Sequence, residues 1–229
     1  MQFVTWLTGK AEKKSYLISM AITLAILLGG IFGAIFLYQD DFSFLRIQIS
    51  ELAYQSVNPI GFYVFNTGMI ISGIIVIPHG FYLYRMLQPD VKILSGMSAI
   101  FLMITGVGLS MVGLFPASVN YPMHVVGAFG SIGGVALSCL ISIPSIIKKK
   151  IRKAAWPKWW HIIVTYGELI SIATVAILLV AIPIIIELQA GTFDPNYPPA
   201  IWPLCEWLIL MSSILWLCGM VFVSPKKIE

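Results

Sequence analysis

Charge is what this chain most conspicuously lacks. Its 229 residues include 14 Lys and Arg and 10 Asp and Glu, together 10% of the whole, where soluble domains carry about 25%. So few ions cannot cover a water-exposed surface, which excludes a soluble globular domain. Histidine and cysteine are nearly as rare, at three each. They form no CxxC, no HExxH and no Cys/His group of ligand spacing, so no metal is expected. Cys205 and Cys218 stand thirteen residues apart, about 20 Å along one helix, too far for a disulfide. Neither a rhomboid-like GxSx pattern nor a phosphatase motif fixes a nucleophile, and the cofactor is left unknown by the sequence.

Apolar sequence is abundant: 59% of the residues are hydrophobic. They gather into six runs, at about 17–38, 60–84, 93–115, 123–147, 161–186 and 203–224. Each is near the ~20 residues a helix needs to cross a ~30 Å hydrocarbon layer. Lipid offers no partners to backbone groups, so spans of this length should be helical. The fold class expected is an all-α, polytopic six-helix bundle, with residues 1–229 forming a single transmembrane domain.

The few charges are unevenly placed. Lys10, Lys13 and Lys14, then Arg85 and Lys92, then the run Lys148–Lys158, then Lys226 and Lys227 all fall on one side of six spans, leaving Arg46 alone among the cations opposite. Asp40, Asp41, Glu51, Glu187, Asp194 and Glu206 lie on that opposite side. The positive-inside rule then makes both termini cytoplasmic, in a multi-pass protein of the cell membrane. A net charge of +4 distributed this way is no nucleic-acid signal. The run Lys148–Lys158, interleaved with Trp156 and followed by Trp159 and Trp160, reads as an interface anchor, with a phosphoinositide site as the alternative. The first apolar run is too long for the core of a signal peptide, so it should remain as the first span.

Two outer connections are longer than the rest. In 39–59, Phe42, Leu45, Ile49 and Leu52 recur at helical spacing among Asp41, Arg46, Gln48 and Glu51, which predicts a short amphipathic helix on the outer surface. Residues 187–202 are rich in proline and turn formers and predict an ordered loop. Within the fourth run His124, Gly127, Ser131, Gly134 and Ser138 form one small, polar stripe. The third run offers Gly106, Ser110 and Gly113, and the two stripes are expected to pack together.

Ionisable and amide side chains inside spans are costly and usually face the bundle interior. They fall into two layers. Toward the outer face lie Ser50, Glu51, Asn58, Asn66, His124 and Glu206, expected to line a polar cleft. Toward the inner face lie His79, His161 and Glu168, with His79 and Glu168 as a candidate pair. Purely structural readings stand beside these: Glu206 and His161 solvated at the interface, Asn66 in an interhelical hydrogen bond, His124 capping a helix pair. A His beside a carboxylate also suits general acid–base chemistry, although no motif supplies its nucleophile.

The stretches ISELAYQSVNPIGFYVFNTGMIISG (49–73), GLFPASVNYPMHVVGAFG (113–130) and PLCEWLILMSSILWLCG (203–219) resemble the prokaryotic six-span membrane proteins catalogued as domain of unknown function 998. More distantly they are similar to the damage-regulated autophagy modulators, GPI-anchor lipid-remodelling proteins and plasma-membrane lipid organisers. The resemblance implies six helices and a lipid-related setting, and places Ser50, Glu51, Asn58, Asn66, Pro116, His124, Glu206 and Trp216 at motif positions. One departure stands out. The family pairs the acidic residue opening the last span with a basic one, whereas Glu206 is followed by Trp207. Arg46 and His124 are the replacement partners expected for Glu206.

The function expected is binding or organising membrane lipid, or an amphipathic ligand, through the outer cleft. Two alternatives remain: a membrane-embedded lipid-modifying enzyme using His124 with Glu51 or Glu206, and a non-catalytic subunit packed on other membrane proteins.

Overall fold

The computed structural model describes residues 2–44, 46–87, 92–152 and, further on, 203, 206–208, 210, 211, 213, 214 and 216. The expected span 161–186, the loop 187–202 and Glu168 lie outside the described residues. The described elements are helical: α1 (Gln2–Leu7), α2 (Lys13–Phe36), a 3-10 helix (Ile49–Ala53), α3 (Gly61–Leu87), α4 (Lys92–Leu114) and α5 (Tyr121–Arg152). Four of them, α2, α3, α4 and the Tyr121–Pro144 part of α5, are long and apolar enough to cross a membrane. Each begins within a few residues of an apolar run in the sequence, because those runs are bounded by the cations and turn residues that end helices.

The four long helices pack in chain order, with α3 between α2 and α4, and α5 against α4. Glycine sets how closely they approach. A Cβ at Gly68 would come within 2.9 Å of the Gly30 Cα, and one at Gly73 within 2.5 Å of the Gly106 carbonyl. Such contact leaves no room for a side chain, and in lipid it is this close packing that holds helices together. α4 and α5 are further joined by a reciprocal serine pair: Ser98 Oγ donates to the Ser138 carbonyl at 2.8 Å and Ser138 Oγ to the Ser98 carbonyl at 2.7 Å.

The stripe on α5 does face α4, but its partners differ from those expected. Gly127 meets Gly108 and Val112, and Gly134 meets Phe101 and Thr105. Gly106, Ser110 and Gly113 instead face α3, at Gly73, Ile70 and Asn66. α4 is thus lined with small residues on two faces because it is packed on two sides. The glycines of a single stripe could not indicate that.

At one end of the bundle, α1 folds back on α3. Gly9 adopts a left-handed φ of 74° against the Phe81–Tyr82 backbone, where only glycine avoids a steric penalty. Tyr16 donates its hydroxyl to the Trp6 carbonyl, and Arg85 Nε donates to the Thr8 carbonyl at 3.2 Å. Lys10, Lys13, Arg85 and Lys92 all belong to this end. The opposite end holds the 3-10 helix, the turn 115–120, and residues 206 and 207.

The amphipathic surface helix expected from Phe42 to Leu52 is not formed as such. Among the described residues of this segment only Ile49–Ala53 is helical, as one 3-10 element, and Leu52 and Ala53 are fully buried. Phe42 and Phe44 turn to Trp207 instead, with ring centroids 6.0 and 4.9 Å away. Contact with Trp207 decides their direction, overriding the local 3.6-residue periodicity.

Candidate functional site

The end with the 3-10 helix gathers most of the outer polar residues expected from the sequence. The N-terminal amides of any helix lack intrahelical acceptors. Here Glu206, from far along the chain, supplies them: its Oε2 accepts from the Ile49 N–H at 2.8 Å and the Ser50 N–H at 3.4 Å. Gln48 and Glu51 form a capping box, the Gln48 N–H donating to Glu51 Oε1 at 3.4 Å and the Glu51 N–H to the Gln48 side chain, and Ser50 Oγ separately donates to Gln48 Oε1 at 3.2 Å. Trp207 donates its indole N–H to the Ile47 carbonyl at 3.2 Å. Neither Arg46 nor His124 partners Glu206; two backbone amides take the role expected of a cation.

Beneath the 3-10 helix, Asn58 is fully buried and donates through Nδ2 to the carbonyls of Ala34 at 3.0 Å and Leu52 at 3.4 Å. One side chain thereby ties α2, the 3-10 helix and the start of α3. Ser118 adds a link from the α4–α5 turn, donating to the Ala53 carbonyl at 3.3 Å. Within that turn the Asn120 carbonyl accepts from the His124 N–H, and its Oδ1 accepts from the Met123 N–H at 3.2 Å. Asn120 is the N-cap of α5, which fixes where His124 emerges.

His124 is buried, and its Nδ1 donates to the Phe115 carbonyl at 3.1 Å, just beyond the end of α4. Its described hydrogen bond is therefore a cap on the α4 terminus, and neither Glu51 nor Glu206 shares it. Asn58 Oδ1 has no hydrogen-bond partner among the described residues, and for Asn66, which is 6% exposed, this extends to the whole carboxamide, Oδ1 and Nδ2 alike. At the other end, His79 is buried with Nδ1 on the Ile75 carbonyl at 2.8 Å, and its ring lies edge-on to Tyr16. The expected partner Glu168 falls outside the described residues.

Of the residues singled out in the sequence, the structure brings Ser50, Glu51, Asn58 and Glu206 together here, along with Gln48, Ser118 and Trp207, which the sequence reading had not placed in the group. Trp207 had a signal, its position beside Glu206 where the family resemblance expects a cation. Gln48 and Ser118 are ordinary polar residues of turns and had none.

Burial holds the Glu51 carboxyl above the ordinary range, partly offset by the Gln48 N–H it accepts. A carboxyl raised in the folded state binds more protons there than when unfolded. Its neutral form thus stabilises the fold at low pH, and that contribution fades as pH climbs from the unfolded value through the raised one. Glu51→Gln keeps the acceptor oxygen of the capping box without the charge. It is expected to flatten this pH dependence and to match or exceed wild-type thermal stability at pH 7, as scanning calorimetry across pH 4–8 would show.

Among the described residues no group of three or more His, Cys, Asp or Glu could hold a metal ion. Comparison with curated proteins and with solved structures gives no match. A family model does match, over residues 19–223, nearly the whole chain and every element described above except α1 and the first turns of α2. The chain therefore belongs to the family described as "Protein of unknown function (DUF998)".

Proposed function

We propose that the protein crosses the cell membrane six times with both termini in the cytoplasm, and that its outer end binds the polar part of a membrane lipid or similar amphipathic ligand. The runs 161–186 and 203–224 supply the fifth and sixth spans in this reading, and the cations at the α1 end supply the orientation.

One observation carries the ligand assignment: the carboxamide of Asn66, buried with both its donor and its acceptor unpartnered among the described residues. Burying an unsatisfied amide costs about 1–3 kcal/mol. Asn66 lies five residues into α3, about 7 Å below its outer start, the depth at which glycerol esters meet acyl chains. An ester carbonyl accepts from the amide NH2, and a headgroup hydroxyl or ammonium donates to its carbonyl. Glu51 and Glu206 above it, with Asp40 and Asp41, make this end acidic, which disfavours anionic headgroups and favours amine-bearing ones.

Asn66→Leu tests the reading because the two roles move stability in opposite directions. Leucine is close in volume and needs no partner, so the variant is expected to unfold at the same or a higher temperature while losing lipid that the wild type retains in native mass spectrometry. An Asn66→Leu protein that is destabilised and still carries its lipid would make Asn66 a structural residue and remove the site.

A further inference from the structure

A second group of buried polar atoms lies in the half of the bundle nearer α1, far from Asn66. α2 and α3 run antiparallel with Gly30 against Gly68 and with Tyr16 stacked on Tyr82 at a centroid distance of 3.9 Å. Three residues on from Tyr16 and three back from Tyr82, the same register sets Ser19 opposite His79. Both are more than nine-tenths buried, with exposures of 9% and 3%. Neither Ser19 Oγ nor His79 Nε2 has a hydrogen-bond partner among the described residues.

The chemistry of the two atoms is defined by their surroundings. A carbonyl oxygen only accepts, so the 2.8 Å contact of His79 Nδ1 with the Ile75 carbonyl places the ring proton on Nδ1. In the neutral ring Nε2 is then a bare acceptor. Helical serines and threonines usually satisfy themselves by donating to a carbonyl one turn back. Thr23, Ser72 and Ser142 do so here at 2.8, 2.7 and 2.7 Å. Ser19 does not, and it does not reach His79 either. Trp216, in the same buried cluster as Tyr16 and Val76, adds an indole N–H that is also without a partner among the described residues.

We propose that Ser19 and His79 form a buried site that takes a hydroxyl group, of water or of a lipid, which donates to His79 Nε2 and accepts from Ser19 Oγ. A hydroxyl is the smallest group that satisfies an acceptor and a donor at once, and an unsatisfied pair at this depth has no bulk water to turn to. The site is independent of the Asn66 reading, on a different part of α3 and with a different readout.

Solid-state NMR of the full-length protein, 15N-labelled at histidine, tests it in phosphatidylcholine vesicles, whose lipid carries no hydroxyl, and again with phosphatidylglycerol added. The His79 resonance is assigned by its loss in His79→Gln. The expected result is an unprotonated Nε2 shifted upfield by an accepted hydrogen bond. The shift should survive Ser19→Ala, which leaves the space open, and be lost in Ser19→Val, which fills it without a hydroxyl. A shift present in phosphatidylcholine alone identifies the guest as water, and one that needs phosphatidylglycerol identifies it as lipid. Three results would overturn the proposal: a free Nε2 in both vesicles; loss of the shift in Ser19→Ala, meaning a direct serine–histidine bond; or a shift that persists in Ser19→Val but is lost in Glu168→Ala, meaning a donor from the chain itself.

Discussion

Valine at position 73 is expected to separate α3 from α4 and to cost about 3 kcal/mol or more, the upper range for forcing extra bulk into a packed interface. The reason is geometric. A Cβ at Gly73 would meet the Gly106 carbonyl at 2.5 Å, and the Ser110 N–H and hydroxyl at similar range, and backbone of a neighbouring helix cannot swing aside as a flexible side chain can. The helices would have to move apart, and the neighbouring contacts of Gly113 with Asn66 and Gly80 with Ala99 would loosen together. Gly29 and Gly133 provide the control, since among the described residues an added Cβ meets nothing within 4 Å at either. Alanine there should leave stability unchanged or raise it by up to about 1 kcal/mol through helix propensity. Thermal unfolding of the detergent-solubilised variants separates the two classes: a large fall for Gly73→Val, none for Gly29→Ala and Gly133→Ala.

Truncating Trp207 should have a comparable effect, confined to the end of the bundle that carries the 3-10 helix. The indole is 5% exposed, packs edge-on against Phe42 and Phe44, and holds the Ile47 carbonyl. Removing a buried tryptophan typically costs about 3–5 kcal/mol. Here the loss falls on a segment that is mostly irregular between Leu37 and Gln48, so the expected result is local release of residues 38–53 with α2–α5 intact. Hydrogen exchange reads this directly. The Ile49 and Ser50 amides, now bound by Glu206, should exchange much faster in Trp207→Ala. Glu206→Ala should speed them by roughly ten- to a hundredfold, for the about 1–3 kcal/mol of an orphaned donor. Glu206→Gln keeps a carboxamide oxygen as acceptor and should have the smaller effect. Unchanged exchange in Trp207→Ala would mean that the segment holds itself in place.

The four long helices were legible because hydrophobic run length, bounding charge and turn residues all report the same property, compatibility with a hydrocarbon layer. The 39–59 segment was not, because its periodicity suggested a self-contained helix whereas Phe42 and Phe44 answer to Trp207, more than 160 residues away. The same distance hid the partners of Glu206. Sequence can show that a carboxylate at the mouth of a span needs compensation, but backbone amides leave no mark in residue identity, so the expected partners were the visible ones, Arg46 and His124. The stripe on α5 was correctly read as a packing face, yet which of the two small faces of α4 it meets depends on helix rotation, to which spacing alone is blind. Asn66 was recognised as a polar residue needing a reason. That neither end of its carboxamide is satisfied by the described residues is a tertiary fact.

The measurement bearing most directly on the site proposed at Asn66 is a cryo-electron microscopy map of the protein in nanodiscs made from its native lipid extract, compared with a map of Asn66→Leu prepared identically. The account predicts non-protein density within hydrogen-bond reach of the Asn66 carboxamide in the wild type, continuous with an acyl chain, and its disappearance in the variant while α2–α5 superimpose. An Asn66 carboxamide satisfied entirely by side chains or backbone of its own chain, with no density beside it, would contradict the account.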